Sequence, residues 1–319
     1  MLIDILLIAI GMALLIFSAN WLVEGASSIA ARLGIAPLTI GLTVVAFGTS
    51  MPELVVNVMA SFGGNSGLAI GNVVGSNTIN IFLILGIAAL VRPLNVQSKT
   101  VRVEIPFSLL AAVVLFVMAN DILFDGMKES VLTRTDGLTL LAFFLIFLYY
   151  TFRSAKSDPL APASEVKQRK LWLSLVMIFV GIGGLIAGGK VIVDSAVSMA
   201  QMLGVSDSLI GLTVVAIGTS LPELATSVVA AYKGNSDIAV GNVVGSNIFN
   251  VFFILGISGT LSPLPFHPSA NVDLLVTCVA SVLLFVFAVV GPGRRIDRKE
   301  GAAFVLIYLG YLAYLINGA

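Results

Sequence analysis

The chain has 319 residues, of which 58% are hydrophobic and only 11% charged, and its mean hydropathy is +1.06. Soluble domains carry about 25% charged residues, so the composition excludes a soluble globular protein and describes one embedded in a lipid bilayer. Seventeen basic and seventeen acidic residues cancel, which argues against a nucleic-acid partner.

A spanning helix needs about 20 mostly apolar residues. Ten stretches qualify, near 3–30, 38–62, 67–90, 103–120, 135–152, 171–199, 208–232, 238–261, 271–290 and 302–317. The opening "MLIDILLIAIGMALLIFSAN" lacks a basic leader and a small-residue cleavage site, so it reads as a retained helix rather than a signal peptide. The first and sixth stretches are long enough to tilt or slide. Glu24, Asp194 and Lys190 on them read as side chains reaching for the interface. The polar run "RSAKSDPLAPASEVKQRK" (153–170) at the midpoint reads as a linker. Cys278 stands alone, so no intrachain disulfide is expected, and His267 in "SPLPFHPSA" reads as a solvated loop residue.

The two halves repeat at an offset of 170 residues. Aligned without gaps, 40–87 and 210–257 share 32 of 48 positions, including Thr, Ser, Glu and Asn as well as apolar residues. The predicted fold is therefore an all-α integral membrane protein with ten transmembrane helices arranged as two five-helix repeats. Residues 1–152 form the first, with motifs at 41–53 and 71–80. Residues 171–319 form the second, with motifs at 211–223 and 241–250. An odd number of spans per repeat inverts the second against the first. Placing both termini outside puts 14 of the 17 basic residues, and the linker 153–170, on the cytoplasmic side, as the distribution of Lys and Arg requires. An inverted repeat is the usual plan of a secondary transporter.

The repeated segments place costly residues in mid-membrane. In "TVVAFGTSMPELVV" (43–56), Ala46, Thr49, Ser50 and Glu53 fall on one helical face. Pro52 has no N–H and clashes with the carbonyl four residues back, so it is expected to open the helix at Gly48 and free carbonyl oxygens. "TVVAIGTSLPELAT" (213–226) repeats this with Ala216, Thr219, Ser220, Pro222 and Glu223. In "GNVVGSNTIN" (71–80), Asn72, Ser76 and Asn80 share a face, and "GNVVGSNIFN" (241–250) repeats it. Asn77 and Asn247 point elsewhere and read as hydrogen-bonders between helices. Asn72 and Asn242 are balanced between ligand and packing roles. Gly71 and Gly75 form a GxxxG that admits a close neighbour.

No sulfur or imidazole belongs to this set, and all-oxygen ligation suits hard cations such as Ca²⁺, Na⁺, Mg²⁺ or Mn²⁺. Two glutamates can be neutralised by one Ca²⁺ or by several Na⁺ on overlapping oxygens, and such mutual exclusion is the physical basis of antiport. Bare carboxylates in mid-membrane are expensive, which disfavours an empty, unprotonated site.

The paired "GTSxPE" and "GNVVGSNxxN" segments resemble the alpha repeats of the sodium/calcium exchanger family, within the calcium/cation antiporter superfamily. The resemblance covers the whole chain and implies exchange of Na⁺ for Ca²⁺ by alternating access, without a cofactor. It implies that the second, third, seventh and eighth helices enclose the ions while the first and sixth slide across them. It also implies ligands at Thr49, Ser50, Glu53, Ser76 and Asn80, at Thr219, Ser220, Glu223, Ser246 and Asn250, and at the carbonyls of Ala46 and Ala216. Some members carry Asp where Asn250 stands, and that acid goes with potassium dependence in one branch, so Asn250 points away from it. The 18-residue linker is too short for the regulatory domain of animal exchangers. A complete two-repeat site implies that a monomer suffices, and the absence of targeting signals points to a prokaryotic inner membrane. Exchange of Ca²⁺ for protons is the nearest rival. A channel fits the inverted repeat poorly, and an intramembrane metalloprotease would need paired histidines.

Overall fold

Lipid offers no partner for backbone N–H and C=O groups, so a chain this apolar can cross it only by satisfying them internally. The structure, a computed structural model, describes residues 1–155, 168–203, 216–290 and 294–318. It is almost wholly helical. In chain order the helices are α1 (Leu2–Leu33), α2 (Pro37–Thr49), α3 (Met51–Phe62), α4 (Ser66–Val91), α5 (Thr100–Met118) and α6 (Arg134–Ala155). They continue as α7 (Leu171–Met202), α8 (Ala216–Thr219), α9 (Leu221–Tyr232), α10 (Ser236–Leu261), α11 (Pro268–Val289) and α12 (Arg298–Asn317). Among the described residues eight helices are long and apolar enough to span, and the bent pair α2–α3 makes a ninth. The expected stretch 208–232 begins in residues 204–215, outside the described residues; α8 and α9 are its described part. The expected linker starts late, because α6 runs through Arg153 and ends at the buried Ala155.

The two long helices α1 and α7 lie antiparallel in close contact. A Cβ at Gly11 would stand 3.0 Å from the Gly188 carbonyl oxygen, and one at Gly25 would stand 2.8 Å from that of Ser174. Only glycine allows such backbone approach. The turns from α3 to α4 and from α9 to α10 are built alike. Gly64 and Gly234 take positive φ angles of 69° and 80°, a region that side chains disfavour. Asn65 follows Gly64 and caps α4 by accepting from the Leu68 N–H at 3.1 Å.

Among the described residues four short strands tie loops together across the chain. β1 (Leu94–Asn95) pairs antiparallel with β4 (Arg295–Ile296), setting Leu94 opposite Ile296. β2 (Ser130–Leu132) pairs antiparallel with β3 (Leu264–Phe266), setting Leu132 opposite Leu264. Near the first clasp, Glu24 on α1 pairs with Arg169 at 2.7 Å and Lys233 at 3.0 Å, and Gln97 donates to Asp237 at 2.6 Å. Near the second, Asn120 and Asn271 exchange two hydrogen bonds of 2.8 Å. The two clasps and their polar pairs thus mark two separate loop clusters.

Between these faces lies the most buried span. α10 is lined along its length by fully enclosed residues, and Gly241 and Gly245 press it onto α2: a Cβ at Gly245 would stand 2.9 Å from the Leu42 Cα. The close approach predicted for Gly71 and Gly75 has no counterpart among the described residues: a Cβ at either would meet no other element within 4 Å. The sequence pattern is shared, but its use is described only in the second half.

A candidate cation site between two broken helices

Glu53 and Glu223 are the first-turn acids of α3 and α9, with Pro52 and Pro222 beside them at the helix starts. Proline costs nothing there, because the N–H it lacks would have no helical partner. The proline thus begins a new helix rather than kinking a continuous one, and α2 meets α3 at 48°. The break falls at Ser50, with φ −83° and ψ 10°. Helix N-termini carry partial positive charge, so both carboxylates sit where the backbone favours an anion.

The Ala46 carbonyl, implied as a ligand by the resemblance, already has partners. It accepts from the Ser50 N–H at 3.0 Å and lies 3.3 Å from the Thr49 hydroxyl. Gly48 and Gly218 serve a further purpose: a Cβ at either would collide with α7, at Ile182 and Val193 respectively. Both motif glycines therefore make room for the long helix that crosses them.

Ser50-Met51-Pro52-Glu53 is a capping-box sequence, yet the Ser50 side chain makes no cap to its own helix. Instead it crosses to the other repeat and donates to Glu223 Oε1 at 2.8 Å. Ser220 likewise crosses to Glu53 Oε1 at 3.3 Å. Ser246 stands 3.0 Å from Ser50 and 3.4 Å from Glu223 Oε1, while Ser76 stands 3.3 Å from Ser220. Thr49 and Thr219 immediately precede Ser50 and Ser220, and the Thr49 hydroxyl lies 3.1 Å from the Val45 carbonyl of its own helix. Each glutamate is thus held by hydroxyls from the opposite broken helix, and neither repeat completes a site alone.

The second layer is made of carboxamides. Asn80 Nδ2 donates to Asn247 Oδ1 at 3.0 Å, and Asn250 Nδ2 donates to Asn77 Oδ1 at 2.9 Å. Asn242 accepts from Thr49 at 3.0 Å and donates to Ser227 at 3.0 Å; Asn72 donates to Asn57 at 2.6 Å. Those bonds give Asn72 and Asn242 supporting places. Asn57 and Ser227, one turn beyond each glutamate, were not singled out from sequence, although both are polar residues in an apolar run.

Four oxygens remain. Glu53 Oε2, Glu223 Oε2, Asn80 Oδ1 and Asn250 Oδ1 are buried without any hydrogen-bond partner. Glu53 is 0% exposed and Glu223 1%. Buried polar atoms are normally paired, and a buried unpaired carboxylate oxygen is costly. Two carboxylate and two amide oxygens, with hydroxyls alongside, match the ligand chemistry of hard cations. Of the other sequence candidates, Ala216 opens the short helix α8, and residues 211–215 of its motif lie outside the described residues.

Fold and site together define a multi-pass membrane protein with a buried, cross-repeat oxygen centre. The family model described as "Sodium/calcium exchanger protein" matches residues 3–153 and 173–317. The chain is 37% identical to the inner membrane protein YrbG of Escherichia coli K12, over 99% of this chain and 96% of that protein. It is 32% identical to the sodium/calcium exchanger MaX1 of Methanosarcina acetivorans, over 98% of each. A solved structure of the sodium-calcium exchanger NCX_Mj superposes with a TM-score of 0.83 at 33% identity, covering 98% of this chain and 99% of that one. The chain belongs to the sodium/calcium exchanger family, a family of cation/Ca²⁺ antiporters.

Proposed function

We propose that this protein exchanges Na⁺ for Ca²⁺ across a prokaryotic inner membrane, as a monomer, by alternating access. The four unpaired buried oxygens of Glu53, Glu223, Asn80 and Asn250 carry this reading. They would ligate the ion with the hydroxyls of Thr49, Ser50, Ser76, Thr219, Ser220 and Ser246 and the carbonyls of Ala46 and Ala216. A serine hydroxyl that donates to a carboxylate can rotate and offer a lone pair to a cation instead, so the cross-repeat bonds are those a bound ion replaces. One Ca²⁺ neutralises both glutamates, and Na⁺ ions neutralise them singly, so the two loads exclude each other. The cost of two uncompensated carboxylates in the membrane makes transit of the empty site unfavourable and ties the fluxes together. The proposed architecture is two inverted five-helix repeats, 1–152 and 171–319. The proposed orientation puts both termini outside and linker 153–170 in the cytoplasm, and 14 of 17 basic residues support it.

The test is radioactive Ca²⁺ uptake into proteoliposomes loaded with Na⁺ and diluted into Na⁺-free buffer. Uptake is expected to require the Na⁺ gradient and to disappear in both Glu53→Gln and Glu223→Gln. Uptake indifferent to Na⁺ but driven by a pH gradient would replace Na⁺ by protons as the coupling ion.

A further inference from the structure

We infer that Asn77 and Asn247 are positioning residues that set which end of the Asn80 and Asn250 carboxamides faces the ion. The inference rests on the ion site proposed above and deepens it. A carboxamide has an acceptor end and a donor end of nearly equal shape. Turned one way, it offers a cation an oxygen; turned over, it offers an NH₂ group that repels it. Packing alone distinguishes the two orientations poorly, so a hydrogen-bond partner must decide.

That partner comes from the opposite repeat in both cases. Asn77 Oδ1 accepts from Asn250 Nδ2 at 2.9 Å, and Asn247 Oδ1 accepts from Asn80 Nδ2 at 3.0 Å. All four side chains are at most 2% exposed, so water cannot substitute. With their NH₂ groups held, Asn80 and Asn250 keep Oδ1 free, and those are two of the four unpaired oxygens of the site. A reversed Asn250 would set its oxygen against the Asn77 oxygen. Asn77 cannot turn to meet it, because its own Nδ2 donates to the Asn247 backbone carbonyl at 3.2 Å. Asn77 Oδ1 and Asn247 Oδ1 each already accept one of these bonds, and so are turned towards their partner asparagines. Asn77 is held at both ends, whereas Asn247 Nδ2 has no partner, so the orientation of Asn250 is the more firmly fixed.

A carboxylate has no wrong end, and this gives a test that a packing role would not pass. In proteoliposomes, Asn77→Ala is expected to raise the apparent KM for Ca²⁺ by about 10-fold or more, the usual cost of losing a partner that orients a metal ligand. In an Asn250→Asp background the same substitution should change KM by less than about 2-fold, or lower it, because the aspartate needs no orienting and its oxygens face the Asn77 oxygen. Asn247→Ala with Asn80→Asp forms an independent second cycle, which decides alone if Asn77→Ala does not yield folded, monodisperse protein. Equal losses in both backgrounds would overturn the inference and leave only packing. Glu53→Gln and Glu223→Gln run in parallel: wild-type KM in those variants would defeat the ion-site reading itself, whereas their failure beside additive asparagine cycles would defeat only the positioning role.

Discussion

Removing the Glu24 clamp gives the sharpest test of whether the long helices move. Glu24 on α1 holds Arg169, just before α7, and Lys233, just after α9. If α1 and α7 slide together, as their glycine contacts suggest, the Arg169 bond travels with them and only the Lys233 bond must part. Glu24 is 41% exposed and Lys233 24%, so solvent screens the pair and its worth is about 0.5–1 kcal/mol. Glu24→Gln should then shift the balance between the two access states by a factor of about 2–5. The assay is the apparent Ca²⁺ affinity measured separately from each side of sided proteoliposomes. The expected result is a rise on the side of the β1–β4 clasp and a fall on the other, with high salt producing part of the same shift in the wild type. The positional counterpart of Glu24 is Asp194, which pairs at 3.0 Å with Lys190 on the same helix and at high exposure. That pair bridges no two elements, so Asp194→Asn is the control and should change neither side. Equal changes on both sides for Glu24→Gln, or a matching effect of Asp194→Asn, would refute the reasoning.

Two further outcomes follow from the site. Gly48→Ala pushes a methyl into Ile182 on α7, and overpacking of this kind costs about 1–3 kcal/mol; turnover should fall, and Ile182→Ala should restore it in the double variant. Ca²⁺ at about 100 times its Kd should stabilise the purified protein by about 2.7 kcal/mol, read as a rise in Tm that Glu53→Gln and Glu223→Gln abolish.

Much of the candidate site is legible in one dimension because its residues violate the rule of their surroundings. Glutamates, hydroxyls and carboxamides in apolar helices, repeated at one offset, could be named without a fold; the structure joins the glutamates and serines in one cluster and pairs the carboxamides across the repeats. The pairing within that set is not legible. A 3.6-residue period places Asn80 with Asn72 and Ser76 and sends Asn77 away, but wider π-helical turns over Ile79–Leu85 and Phe249–Leu255 begin just there. Such turns are frequent at functional sites, and here Asn77 and Asn80 both face the opposite repeat. Ser50 looks like a local cap because its sequence neighbours are those of a capping box; its true partner is 173 residues away. The prolines are expected to open a continuous helix, whereas each stands at the start of a new one, because helix starts cannot be told from helix interiors inside a long apolar run. The strand clasps left no trace at all, since two- and three-residue segments carry no periodicity and Leu94 meets Ile296 only through the tertiary fold.

Those clasps have a mechanical meaning. β1–β4 binds the connections around α4, α5, α11 and α12 at one face, and β2–β3 binds those around α5, α6, α10 and α11 at the other. They act as two hoops around a barrel, each fastened between a segment of one repeat and a segment of the other. α1 and α7 pass through neither hoop. A protein built this way has its most buried staves fastened in register while α1 and α7 are left unfastened, and severing a hoop would loosen the cask without touching the buried oxygen cluster.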